Sequence, residues 1–287
     1  MRSISANPHN INDHGEKLFI PDFNLASSVL KDSFFTIPKD LKNIVTCPAK
    51  NPKESLCALG IIGALVLADK PATTFYQDHV ENNLDFYRLP TIPNFHFDGA
   101  DSWILYGLAG NYLGSFLSNY EKGQVTSLLA TKSVLYSVVL AHLIGKTITG
   151  RNRPYRPLSD GCEDIQDVKD GFTCDPHDFG NWRSPRLDSS GEGSAMPSFH
   201  VTMLFSVAKV YQEMYDNAWI PYSLLAIFFA SDIKGHNHWV SDMVAGGLLG
   251  TLIGHEVVRT YREEGSKVQV IPVVGTQSVS LHLQYRF

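Results

Sequence analysis

Five stretches of the chain lack Asp, Glu, Lys and Arg altogether: residues 55–68, 102–120, 133–145, 217–231 and 243–254. These uncharged apolar stretches read as helices, and buried helices of a bundle are expected. Most fall short of the about 20 residues that cross a bilayer. The longest carries Asn111, Ser115, Ser118 and Asn119, so core helices of a bundle are expected over membrane spans. A further helix is expected to begin at Pro197 and Ser198, where a polar stretch gives way to the apolar run V-T-M-L-F-S-V-A. Residues 1–52 are polar and broken by prolines at 8, 21, 38, 48 and 52, which predicts an irregular arm with at most one short helix. At the other end, K-V-Q-V-I-P-V-V and V-S-L-H-L-Q-Y-R-F alternate apolar and polar residues around G-T-Q-S. That alternation predicts a β-hairpin over 266–287, packed on the helices. A terminal Phe287 on such a strand also suits an outer-membrane protein, but one hairpin cannot close a barrel. The reading is therefore all-α: an arm (1–52), a helical domain (53–265) and a small hairpin (266–287).

Composition narrows the classes. With 287 residues, 44% hydrophobic and 18% charged, the chain can bury a sizeable core, which excludes disorder and a densely spanning transporter. A net charge of -5, from 24 basic and 29 acidic side chains, gives no global positive field, so nucleic acid is not an expected partner. The first residues contain no apolar run of the kind a secretory signal needs, which leaves a cytoplasmic protein and a processed mature form both open. Cys162 and Cys174 flank a polar, Asp- and Gly-rich loop and are expected to form a disulfide contributing about 3 kcal/mol. Cys47 and Cys57 are either a second pair or free thiols.

Three clusters carry candidate chemistry. In K-T-I-T-G-R-N-R-P, Lys146 and Arg153 are nearly two helical turns apart, which aligns two cations for an oxyanion. A basic helix end also suits a solvated surface or the helix dipole. In A-M-P-S-F-H, Ser198 and the free amides of a helix start form a local anion site, with His200 in the first turn. A capped helix bearing a surface histidine fits those residues as well. In S-D-I-K-G-H-N-H-W-V-S-D, His238 and Asp242 are four apart, so the carboxylate can hold one ring nitrogen and leave the other as a nucleophile. Between the first two clusters, the Asp-, Gly- and Ser-rich connection from Pro154 to Pro197 is long enough to suggest a functional loop or lid.

In order, K-x6-R-P, P-S-x-H and S-x6-H-x3-D resemble the three-part signature of the phosphatidic acid phosphatase type 2 superfamily, which includes bacterial class A acid phosphatases and vanadium haloperoxidases. The resemblance implies an all-helical bundle with its site at the ends of the central helices. It implies that His238 attacks phosphorus, that Asp242 fixes the ring, and that His200 protonates the leaving oxygen and then activates water. Lys146, Arg153, Ser198 and the Phe199 amide would hold the phosphoryl oxygens. The implied activity is metal-independent hydrolysis of phosphate monoesters, on lipid-linked or small soluble substrates. No cofactor is expected, although vanadate could bind as a phosphate mimic.

Two positions depart from the family pattern. Phe199 stands where glycine is usual, which narrows or redirects the pocket. Asp232 stands where an arginine is expected directly after Ser231. At about 4 Å and an effective dielectric near 20, each such contact is worth roughly 4 kcal/mol of attraction or repulsion. Lys234, Arg183 or Arg186 could supply the missing charge; otherwise the protein is a weakened or inactive anion-binding, membrane-associated member. Haloperoxidase activity is a lesser expectation, since losing an arginine weakens vanadate binding. The expected location is the periplasm or the outer or another membrane, and a homo-oligomer is compatible with the family.

Overall fold

The structure, a computed structural model, describes residues 21–84, 100–160, 171–187, 191–231, 237–265, 269–274 and 279–284. The helices are α1 (Phe23–Phe35), α2 (Ile37–Lys50), α3 (Pro52–Phe75), α4 (Asn82–Leu84), α5 (Ala100–Leu117), α6 (Glu121–Ser137), α7 (Lys146–Thr149), α8 (Phe199–Tyr215), α9 (Trp219–Ser231) and α10 (Val240–Gly265). A π-helical turn, Tyr76–Glu81, joins α3 to α4, and a second, Val138–Gly145, joins α6 to α7. Two short strands, β1 (Arg153–Pro154) and β2 (Phe172–Thr173), pair in parallel beside the helix ends.

The expected irregular arm is corrected from residue 23 onward, because α1 and α2 occupy it. Asp22 caps α1 by accepting from the amides of Asn24 and Leu25. Pro38 and Pro52 open α2 and α3, where a missing N–H leaves no hydrogen bond unmade, and Pro48 lies in the last turn of α2. The prolines punctuate helices instead of preventing them. Both helices pack on the bundle: Val29 and Ile44 join the core formed with Leu129, Met203, Val210, Ile253 and Val257. Lys132 of α6 fixes them further, its Nζ lying 2.7 Å from Asp40 Oδ2 and donating to Ser33 O and Thr36 Oγ1.

The centre of the bundle is the contact of α8 with α10. A Cβ added at Gly246, Gly250 or Gly254 would lie 2.6, 2.2 or 2.5 Å from the carbonyl oxygens of Ser198, Thr202 and Ser206. Three glycines at four-residue spacing thus let the two backbones touch along two turns.

Pro52–Leu84 and Glu121–Thr149 are long and apolar enough to cross a membrane, by length and composition. The second is a core helix, half buried and holding the Lys132–Asp40 pair inside the protein. The first departs from the expected burial: Leu56, Leu59 and Leu67 of α3 are 69%, 64% and 78% exposed, while Asp69 and Thr73 are fully buried. Its inner side is reserved for hydrogen bonds, which turns its apolar side outward. Leu113 and Leu117 of α5 and Trp219, Ile220 and Leu224 of α9 are exposed too.

Cys174 is disulfide-bonded; its expected partner Cys162 lies outside the described residues, and Cys47 and Cys57 are free thiols. At the C-terminus β3 (Gln269–Val274) pairs antiparallel with β4 (Val279–Gln284), Gln269 opposite Gln284, as the alternation predicts. The expected packing of this hairpin on the helices lies outside the described residues.

Candidate active site

Three chain segments meet at one end of the α8–α10 pair. The first is the end of α7, where Gly150, at φ 54, turns the chain out of the helix into β1. That turn brings Lys146 and Arg153 together, both buried. Lys146 Nζ is 3.3 Å from His142 Nδ1, one turn earlier, and Arg153 Nε donates to Ser194 Oγ at 2.8 Å. Burial, with Arg153 and Arg183 nearby, holds the Lys146 ammonium well below its usual pKa. Burial brings Arg153 down to about 10, against the opposing pull of Asp242 and with repulsion from Arg183. Buried cations whose charge is disfavoured by burial and by a neighbouring cation favour any anion that enters between them.

The second segment is the start of α8. Ser198 occupies the N-cap position in an extended conformation, and its amide donates to Asp242 O at 3.0 Å. Its buried Oγ makes no hydrogen bond among the described residues. Phe199 lies between two imidazoles, its ring edge-on to His142 at 5.3 Å and to His200 at 5.1 Å. Burial first, then Lys146 and Arg183, lower the His142 pKa to about 4, so this ring is neutral and can accept from Lys146 at ordinary pH.

The third segment leads into α10. His238 precedes the helix and Asp242 sits in its first turn, so the pair meets by a capped turn and not along one helical face. His238 Nδ1 is 3.6 Å from Asp242 Oδ2, an ion-pair separation longer than a hydrogen bond. The Trp239 amide donates to the same oxygen at 3.0 Å, and Arg151 Nη1 donates to Asp242 Oδ1 at 2.8 Å. Burial pushes the Asp242 carboxyl up to about 6, with Arg151 pulling it back.

Among the proposed substitute cations, Arg183 lies near enough for its charge to lower the pKa of Lys146, Arg153 and His142. Arg186 lies instead against Gly191. Asp232 and Lys234 are outside the described residues. The motif pattern does not single out His142, and it counts Arg151 only as added positive charge in a locally basic segment. Their signals were available, since His142 is one turn before Lys146 and Arg151 stands inside the first motif.

A family model described as the PAP2 superfamily matches residues 126–266, which contain all three motifs. No curated protein and no solved structure matches the chain. With that match and the motifs in order, the chain belongs to the PAP2 superfamily, whose members are generally phosphatases.

Proposed function

We propose that the protein hydrolyses phosphate monoesters without a metal, through a phosphohistidine. What supports this reading is that Lys146, Arg153 and Arg183 lie within electrostatic reach of one another, that Arg153 donates to the Asn237 carbonyl next to His238, and that Ser198, whose buried hydroxyl makes no hydrogen bond among the described residues, opens the helix that bears His200. Three cations and a hydroxyl suit the oxygens of a phosphoryl group, which carry its charge in the transition state. His238 Nε2 attacks phosphorus while the ester P–O bond breaks. His200 gives its proton to the departing oxygen, and the Phe199 amide adds a donor to the phosphoryl oxygens. Asp242 offsets the charge on the phosphorylated ring. His200, now neutral, takes a proton from water, whose oxygen displaces His238 and releases inorganic phosphate.

Arg183 supplies the charge that Asp232 fails to provide, which supports activity over the alternative of an inactive anion-binding scaffold. Vanadate enters the same place as an inhibitor in this reading. The outward apolar faces of α3, α5 and α9 support membrane association, with lipid-linked phosphates among the substrates. The test is phosphate release from a chromogenic monoester in excess EDTA. His238→Ala should lower kcat by at least about 10³-fold while the protein stays folded. Equal rates in the variant and wild type would end the proposal.

A further inference from the structure

Along the inner side of α3 and its π-helical continuation runs a polar stripe: Asp69, Thr73, Gln77 and Glu81, none more than 4% exposed. Steps of four over-rotate by about 40° each in an α-helix, so such a stripe would wind away from one face. The wider π-helical turn Tyr76–Glu81 rotates less per residue and keeps Gln77 and Glu81 in line. Each member holds a different part of the frame around the site. Asp69 accepts from Arg151 Nη2 at 2.7 Å, from the Ser241 amide at 2.9 Å and from the Ser241 hydroxyl. Thr73 Oγ1 accepts from the Val240 amide at 3.1 Å. Gln77 donates to Tyr155 O and accepts from the Leu158 amide, and Glu81 pairs with Arg156.

Arg151 is the hub. Its Nη1 donates to Asp242 Oδ1 at 2.8 Å and Ser241 Oγ at 2.6 Å, its Nη2 to Asp69 and Pro176 O, and its Nε to Pro176 O. All five donors of a guanidinium are then used within the protein. Phe179 and Trp239 cover the group, at 4.7 and 5.2 Å from their ring centroids. Arg151 therefore has no donor left to offer a substrate. We infer that Asp69 and Arg151 are positioning residues: Asp69 fixes Arg151 and Ser241, Arg151 fixes Asp242, and Asp242 in turn orients the His238 ring. The inference rests on reading His238 as the nucleophile. It assigns part of the catalytic geometry to α3, which lies outside the segment that the family model matches.

Among the described residues, the charged and titratable groups that bear on Asp242 include Arg151, Asp69, Lys146, Arg153 and His238. Removing the Asp69 charge leaves this set more positive and stabilises ionised Asp242. The full chain and its Asp69→Asn and Ser241→Ala variants are compared with a chromogenic phosphate ester, with inorganic phosphate as inhibitor, and by imidazole ¹⁵N titration of His238, assigned with His238→Ala. For Asp69→Asn the expected result is a kcat lower by about 10-fold or more, with KM and phosphate inhibition within about 3-fold of wild type. Its acid limb and the His238 titration should move to lower pH by about half a unit or more. Ser241→Ala keeps every charge and should lower kcat without moving the limb. Wild-type kcat and titration in Asp69→Asn would overturn the inference, as would parallel loss of kcat and phosphate binding. Should Asp69→Asn fail to fold, wild-type kcat in Ser241→Ala would overturn it. If the wild type releases no phosphate, the proposed function fails instead, and the His238 titration alone decides this inference.

Discussion

The approach of α8 to α10 is the most direct physical requirement of the site, and Gly250→Ala tests it. The added Cβ would stand 2.2 Å from Thr202 O and 3.0 Å from Phe205 Cβ. A carbon–oxygen contact needs about 3.3 Å, so the helices must part by about 1 Å there. Overpacking of this kind costs about 1–3 kcal/mol, against a gain of about 1 kcal/mol from the better helix propensity of alanine. The net loss of up to about 2 kcal/mol lowers Tm by up to about 8 °C for a domain of this size. Gly246→Ala, whose Cβ would meet Ser198 O at 2.6 Å, acts at the functional end. There the Ser198 amide bonds Asp242 O, so a shift near 1 Å displaces the two histidine-bearing segments and lowers kcat by about 10²-fold. Gly247→Ala is the internal control, because its Cβ would meet only Phe205 ring carbons at an ordinary 3.5 Å. Thermal unfolding and ester hydrolysis are measured on all three variants. Gly246→Ala and Gly250→Ala with wild-type Tm and kcat, or Gly247→Ala as damaging as either, would refute the reasoning.

Arg183→Ala should weaken inhibition by inorganic phosphate by about 10-fold, the value of a charge-assisted contact; an unchanged inhibition constant would return the missing cation to another residue. Because burial raises the Asp242 pKa to about 6, activity that needs its ionised form should fall as pH drops through about 6, and a kcat/KM profile flat down to pH about 4.5 would contradict this. The same group opposes folding when ionised, so its stability contribution is complete below the ordinary value of 3.8 and is lost as pH rises through about 6. Phe199→Gly removes the ring between His142 and His200 and should raise kcat/KM for bulky aryl esters relative to small ones. An unchanged ratio between the two substrates would show that the ring does not shape the pocket.

The helices were readable where apolar content alone forms them, in α5, α9 and α10, and the start of α8 was marked by Pro197 and Ser198. The residues gathered at the candidate site stood out in the sequence because the chemistry proposed for them needs particular residue types at fixed spacing. What failed was inference from prolines and from apolarity without knowing which side meets the core. Pro38 and Pro52 occupy first turns, where proline is harmless, so an apparent arm is two packed helices. In α3 the apolar majority faces outward while Asp69 and Thr73 face inward, with Gln77 and Glu81 following in the π-helical turn, the reverse of a soluble core helix. The four-residue recurrence of Asp69, Thr73, Gln77 and Glu81 was present in the sequence, but α-helical periodicity does not keep those positions on one face without the π-helical turn. Partners such as Asp69 with Arg151 are set by tertiary approach and have no local signal.

The covalent step is the centre of the proposed chemistry, and rapid acid-free quenching of a ³²P-labelled ester during turnover examines it most directly. The account predicts label on His238, stable in base, lost in acid, formed and discharged at rates consistent with kcat, and absent from His238→Ala. Steady turnover with no label on that ring, or label on another residue, would contradict it.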